Sequence, residues 1–345
     1  MEDRRLNQDF VDYVKDHIRE YLPPEYQDAV ISTDKVTKNN DRPLTGFTIL
    51  QAGERAAPTI YLEPLAEQLE KGQSLDSVMR QIAEIQTTYK NQIPMEVSTL
   101  ESYETVRPML SIQMCDPEMN KEYLKDKPHI PCGDLAAFYR IQIAADHEGT
   151  ASLAITENLM QIWGITKAQL HKDAVQAENT RNPVCFYDMN DVMSEIMFSE
   201  EPNNLFNREE PLNSAATPMY VLTNQNKING AGVLAQDGVL EKVGELIGSN
   251  FYVLPSSIHE VLIVPDNGDM QMKELEEMVR EVNSTQVAPE ELLSDKVQYY
   301  DCEAKTLGRG QKKSVLEQLA DKKTQVQQTE ATPKTKQAHR SETSL

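Results

Sequence analysis

The run Phe251-Tyr252-Val253-Leu254-Pro255-Ser256-Ser257-Ile258-His259-Glu260-Val261-Leu262-Ile263-Val264-Pro265 sets the strongest limit on the fold. It reads as two apolar strands around a three-residue turn. Neither strand alternates apolar with polar side chains. A strand that is apolar on both faces has to be covered on both sides, so this pair is expected at the centre of a sheet.

Other stretches supply more strands. Leu135, Ala137, Tyr139, Ile141 and Ile143 fall on one face of a period-2 pattern, with Arg140 and Gln142 on the other, giving a strand buried on one side and partly wet on the other. Ala29 to Val36, Leu44 to Gln51 and Thr59 to Leu62 are β-prone runs parted by the turn signals Asn39-Asn40-Asp41 and Gly53-Glu54, as in a small antiparallel sheet. Further strands are expected at Val184 to Tyr187 and Val297 to Tyr300, and a second hairpin is expected where Met219–Thr223 and Ala231–Leu234 flank Asn224-Gln225-Asn226-Lys227.

Helical periodicity appears in Leu6, Phe10, Val14, Ile18 and Tyr21, stopped by Pro23-Pro24, and in Leu75, Val78, Met79, Ile82, Ile85 and Tyr89. It recurs around Val239–Ile247 and in Leu275, Met278, Val279 and Val282, and a short helix starts near Asp188. Gly72 with Ser74, and Gly164 with Thr166-Lys167-Ala168-Gln169, each place a glycine after one helix and a capping hydroxyl before the next. The fold class is therefore α+β, mainly antiparallel sheets with helical hairpins packed on them, and the repeated punctuation is consistent with a duplicated α/β unit. The expected organisation is an N-terminal α+β subdomain at 1–95, a central unit at 96–198, an exposed loop at 199–217, a C-terminal unit at 218–302 and a disordered tail at 303–345.

Charge narrows the partners. The chain carries −21 with 55 Asp and Glu, and the segment 303–345 is net basic, so the preceding part repels nucleic acid. Four widely spaced cysteines without a Cys-x-x-Cys pair fit a reducing cytoplasm. There is no apolar run long enough for a membrane span, and the mixed-charge start does not read as a signal peptide.

Several stretches carry a resemblance: Pro128-His129-Ile130-Pro131 leading to Asp134-Leu135-Ala136, Trp163-Gly164-Ile165-Thr166 leading to Leu170, Leu254-Pro255-Ser256-Ser257-Ile258-His259-Glu260-Val261, Tyr61-Leu62-Glu63-Pro64, and Val282-Asn283-Ser284-Thr285-Gln286-Val287-Ala288-Pro289. On these residues the chain, from about residue 3 to residue 303, resembles a domain-of-unknown-function family of cytoplasmic proteins from anaerobic gut bacteria. The resemblance implies a cytoplasmic setting and, because members of such families are often encoded on mobile elements, an accessory role there. It attaches no activity, cofactor or catalytic residue. Cys132-Gly133 departs from the bulkier residues expected before Asp134.

Motif chemistry is sparse. No glycine-rich phosphate loop, Gly-x-Ser-x-Gly elbow, His-Glu-x-x-His helix or calcium loop occurs. His129 and Cys132 stand three apart but lack a second ligand pair and read as a turn with a packed cysteine, so neither metal nor cofactor is expected. His147 and Glu148 fall at an expected hairpin tip, where both would be solvated.

The catalytic candidates are Ser256, Ser257, His259 and Glu260, where hydroxyls, an imidazole and a carboxylate meet at a turn between buried strands. The preferred reading of the same turn is structural, with an inward, hydrogen-bonded His259 and an exposed Ser257. Three functions stay open: a noncatalytic intracellular protein-interaction or accessory protein, an enzyme acting at the 255–260 turn, and an acidic nucleic-acid mimic of the antirestriction kind. The expected partner is a protein; the folded part is not expected to bind nucleic acid or membrane.

Overall fold

The computed structural model describes residues 7–54, 57–92, 97–146, 149–212 and 219–309. The first helix, α1 (Gln8–His17), is capped by Asn7, whose side chain accepts the Asp9 N–H; Asp9 lies in its first turn and Lys15 and His17 in its last, matching the helix dipole. Its apolar stripe of Phe10, Val11 and Val14, continued by Ile18, is buried. Strands β1 (Val30–Lys38), β2 (Arg42–Leu50) and β3 (Thr59–Tyr61) form a three-stranded antiparallel sheet. Helices α2 (Leu62–Glu70) and α3 (Leu75–Gln92) cover it, joined through Gly72 at φ 98° and Ser74, whose hydroxyl accepts the Ser77 N–H at 3.2 Å. Phe10, Val14, Phe47, Ile49, Leu62, Met79 and Ile82 close one core, drawn entirely from this first third of the chain.

A second, larger core lies between two further sheets. After the short α4 (Tyr103–Val106) come β4 (Leu110–Cys115), β5 (His129–Cys132), β6 (Leu135–Asp146) and β7 (Gly149–Ala154). β4 pairs with one edge of β6, while β5 pairs with the start of the other edge and β7 with its end. The helical hairpin α5 (Glu157–Trp163) and α6 (Lys167–Arg181) turns at Gly164, φ 67°, and α6 begins where Thr166 accepts the Gln169 N–H. α6 packs on β4, so the two helical hairpins of the chain rest on sheets of three and four strands.

The third sheet contains β8 (Val184–Asp188), β9 (Tyr220–Asn224), β10 (Phe251–Leu254), β11 (Val261–Pro265), β12 (Gln298–Asp301) and β13 (Thr306–Gly308), in the order β13-β12-β10-β11-β9-β8, antiparallel throughout. Helices α7 (Met189–Phe198), α8 (Val239–Ile247) and α9 (Met272–Thr285) complete the chain order. The apolar pair β10 and β11 is central, as its two-sided pattern requires. Phe251, Val253, Val261 and Ile263 face the core shared with Ile112, Tyr139 and Ile141, and Tyr252, Leu254 and Val264 face Leu275 and Val279 of α9. At the outer edge of β8 the Asn204 amide takes the place of a strand: the Phe186 N–H donates to its Oδ1 at 3.0 Å and its Nδ2 donates to the Val184 carbonyl at 3.1 Å.

The α+β class and antiparallel sheets follow the sequence, but several details differ. Ala231–Leu234 is no strand; Gly230–Ala235 forms a buried 3-10 turn, because Gly230 sits against Thr223 and the His259 carbonyl, and Gly232 against the Ile112 carbonyl. His129–Cys132 is strand β5 rather than a turn: its one proline, Pro131, is tolerated because the strand lies at a sheet edge. On α9, Met278 and Val282 are each 40 % exposed, so the stripe that packs is narrower than the periodicity suggests. Residues 303–309, expected in the tail, are folded, with β13 pairing on β12 and Arg309 ion-paired with Glu276 at 2.9 Å. β8 and β9 pair across the expected 199–217 boundary, and Leu205 within it is buried. His147 and Glu148 lie outside the described residues, as does the segment from residue 310 onward.

The β1–β2 turn is seated on the larger body. Asn40 and Asp41 adopt positive φ, 62° and 49°. Asn39 Nδ2 donates to the carbonyls of Glu290 and Leu292, Asn40 N–H donates to Asn120 Oδ1 at 2.7 Å, and Asp41 accepts the Glu122 and Tyr123 N–H groups. Buried Asp116 accepts the Ser294 hydroxyl at 2.8 Å, tying the same 290–294 segment to the loop after β4. Asx side chains tolerate left-handed backbone and reach neighbouring main chain, which suits them to such a clasp.

Candidate functional site

The connection from β10 to β11 spans residues 255–260 and is stitched to the segment 291–294. Leu293 N–H donates to the Ser256 carbonyl, Ser294 N–H to the Pro255 carbonyl, and Ile258 N–H to the Glu291 carbonyl. Ser257 forms a bridge with Leu292. Ser257 is buried, not exposed as a turn serine is expected to be, because this second segment covers it. Its hydroxyl accepts the His259 N–H at 3.0 Å.

His259 is held from several sides. Its Nδ1 accepts the Asn229 N–H at 3.2 Å, which leaves the proton of the neutral ring on Nε2, and Nε2 lies 3.5 Å from Glu291 Oε1. The His259 carbonyl accepts the Thr223 hydroxyl at 2.8 Å. Glu260 is half-buried, and burial pushes its carboxyl above the usual range, against the attraction of His259 and Lys227 and with added repulsion from Glu291. The fold thus brings His259 and Glu260 together with Glu291 and Lys227. It does not join either serine hydroxyl to the imidazole among the described residues: the Ser257 hydroxyl serves the backbone, and Ser256 contributes its carbonyl. A serine nucleophile with a histidine base requires the missing contact.

Lys227 carries the site onward. It sits at φ 54° in a turn closed by Asn224, whose Nδ2 donates to the Ile228 carbonyl at 2.9 Å. Its ammonium bonds Glu195 of α7 and lies 5.7 Å from the Tyr187 ring centre.

α7 is well capped and poorly covered. Asp188 accepts the Asn190 N–H at 2.8 Å, Asp191 occupies the first turn, and Ser199 closes the helix at φ 56°. None of its ten residues is buried. Met193 is 46 % exposed, Ile196 73 %, Met197 61 % and Phe198 68 %. Globular helices normally turn such a stripe into the core. Around it, residues 182–207 hold Asp188, Asp191, Glu195, Glu200 and Glu201 and no Lys or Arg. Fully burying one large apolar side chain is worth roughly 1.5–3 kcal/mol, so covering this face would release several kcal/mol. The periodicity locates the helix near Asp188 but does not say that its face is left open; the clustering of Ile196, Met197 and Phe198 before a polar stretch was the available signal.

Among the described residues no group of three or more His, Cys, Asp or Glu side chains is placed to hold a metal ion, and no helix is long and apolar enough to cross a membrane. All four cysteines are free. Comparison with curated proteins and with solved structures gives no match. The chain belongs to DUF5688, a family of unknown function, whose profile matches residues 7–302.

Proposed function

We propose that the protein is a noncatalytic intracellular interaction or accessory protein that docks a basic, amphipathic segment of a partner protein on the open face of α7. The observation that carries this reading is the exposure of Ile196, Met197 and Phe198 on a helix with no buried residue. A soluble protein rarely leaves a contiguous apolar patch uncovered unless something binds there, and methionine-rich faces adapt to their partners. The acidic rim sets the sign of the partner. A cytoplasmic setting, supported by the four free cysteines, and the mobile-element context of the resemblance belong to the same proposal. So does the absence of direct nucleic-acid binding, because the charge of the folded part opposes it.

The test is retrieval of partners from the native host by the full chain and by an Ile196→Ser/Phe198→Ser variant. These exposed positions contribute little to the fold, so the variant should keep its thermal midpoint within a few degrees while losing the partner. Binding should weaken as salt is raised. A partner retained equally by the variant would overturn the reading. An enzyme acting at the 255–260 turn is the second reading, favoured by half-buried Glu260 beside His259 and opposed by the engaged Ser257 hydroxyl.

A further inference from the structure

The chain leaves the described fold on the side of the third sheet that carries α7. Arg309, the last described residue, is ion-paired with Glu276 of α9 at 2.9 Å. Leu275 and Val279 of α9 pack on Leu254, and Leu254 is in register, strand by strand, with Leu262, Val221 and Tyr187. Directly paired residues point to the same face of a sheet. The Tyr187 ring, beside which Lys227 bonds Glu195 of α7, therefore shares the face that α9 covers. Three strand spacings separate β10 from β8, about 14 Å in all.

Thirty-six residues follow Arg309, and the first of them have the composition that the open face of α7 calls for. Val315, Leu316 and Leu319 recur at three- and four-residue spacing between Lys312-Lys313 and Lys322-Lys323, with only Glu317 and Asp321 of opposite charge. Across from them, Asp191, Glu200 and Glu201 have no ion pair among the described residues, while Glu195 is taken by Lys227. Apolar side chains framed by cations thus stand against apolar side chains framed by free acids. Residues 310–314, fully extended, reach roughly 17 Å, so the tether is long enough to cross from α9 to α7.

We infer that residues 312–323 of the chain's own C-terminal segment occupy the α7 face in the free protein, and that a partner binds by displacing them. The inference rests on the reading of α7 as a docking face and names its resident occupant. A tether this short supplies an effective concentration on the order of 1 mM. A segment whose free peptide has a dissociation constant of about 0.1 mM then fills the face about nine-tenths of the time and weakens a competing ligand about tenfold. Such a contact shields Ile196, Met197 and Phe198 from self-association and still yields to a partner that binds more tightly. It is too weak to persist in the urea that unfolds the chain, and so leaves that midpoint in place.

The probe is a fluorescent peptide of residues 310–328, titrated into three full-length chains: the natural sequence, Leu316→Ser/Leu319→Ser, and that pair combined with Ile196→Ser/Phe198→Ser. The tail pair empties the face and should tighten peptide binding about tenfold over the natural chain, and adding the α7 pair should abolish it. Raised salt should weaken the binding. The ε-methyl resonances of Met193 and Met197 should shift between the natural chain and the tail variant, by an amount independent of protein concentration. Equal peptide affinity for these two chains, or resonances that do not move, would overturn the inference. A shift that grows with protein concentration assigns the face to the tail of a second copy and overturns it likewise. Any of these failures leaves the docking reading standing if the Ile196→Ser/Phe198→Ser chain still loses its host partner; that reading fails separately, when the variant keeps the partner.

Discussion

Gly230→Ala tests how tightly the 255–260 turn is locked to the sheet. A Cβ at this position would lie 2.0 Å from Thr223 Oγ1, 2.3 Å from the His259 carbonyl oxygen and 2.9 Å from the Asn224 nitrogen. Two of these atoms are backbone, and Thr223 and Asn224 are 1 % and 4 % exposed, so none can swing into solvent. The methyl would wedge between Thr223 and His259 and break their 2.8 Å hydrogen bond. Overpacking costs roughly 1–3 kcal/mol and a buried acceptor left without its donor a further 1–2 kcal/mol. A loss of about 3–4 kcal/mol is expected, a large share of a typical folding stability. Gly238→Ala is the control: its φ of 80° makes alanine strained, but nothing lies within 4 Å, so about 1–2 kcal/mol is expected. Urea denaturation of both variants measures the difference. Equal losses would refute the claim that close packing, rather than backbone freedom, fixes Gly230.

Two further outcomes bear on the site and on the chain end. Because burial raises the Glu260 carboxyl above 4.5, the folded state holds more protons than the unfolded state above that pH, and stability falls as pH rises through the folded value. Glu260→Gln should therefore stabilise at pH 7 and make no difference near pH 4, as read by thermal midpoints across that range. A chain ending at Arg309 should match the full chain in urea. One ending at Asp301 should lose about 2 kcal/mol or more, because it forfeits the β13 pairing, the packing of Leu307 on the main core and the Arg309–Glu276 ion pair.

Much of the framework was legible because it is local. The three-stranded sheet, the two hairpins with their glycine and hydroxyl punctuation, and the central β10–β11 pair all follow from patterns within a few residues. What escaped depends on contacts far apart in sequence. Ala231–Leu234 has strand composition, but its neighbouring glycines admit Thr223 and Ile112 so closely that a 3-10 turn results. Ser257 stands two residues after Pro255, where a turn serine is expected to be exposed, yet it is buried where it bridges to Leu292. Strand β4 carries a period-2 signal, Leu110, Ile112 and Met114 alternating with Ser111 and Gln113, but that pattern predicts one wet face, whereas the strand is buried along its whole length. The four candidate residues were in view from the start; their partners Asn229, Glu291 and Thr223, which decide what His259 can do, were not. Nor does the local pattern say that α7 lacks a cover, because Val192, Met193, Ile196 and Met197 recur at the three- and four-residue spacing of a helix that packs.

The Asn204 amide at the rim of β8 fixes how wide the third sheet grows. An edge with free main-chain donors and acceptors is an open template, and any passing extended chain can lengthen it, including a copy of the protein itself. Here one planar side chain presents the same donor and acceptor spacing as a peptide group and ends the register after a single step. The termination centres on one residue, whose Oδ1 also accepts the Phe206 N–H at 3.1 Å and so caps the 3-10 turn Leu205–Asn207 beside the strand. Evolution could therefore open or shut this edge to strand addition by a single codon change, without altering any of the residues that build the core.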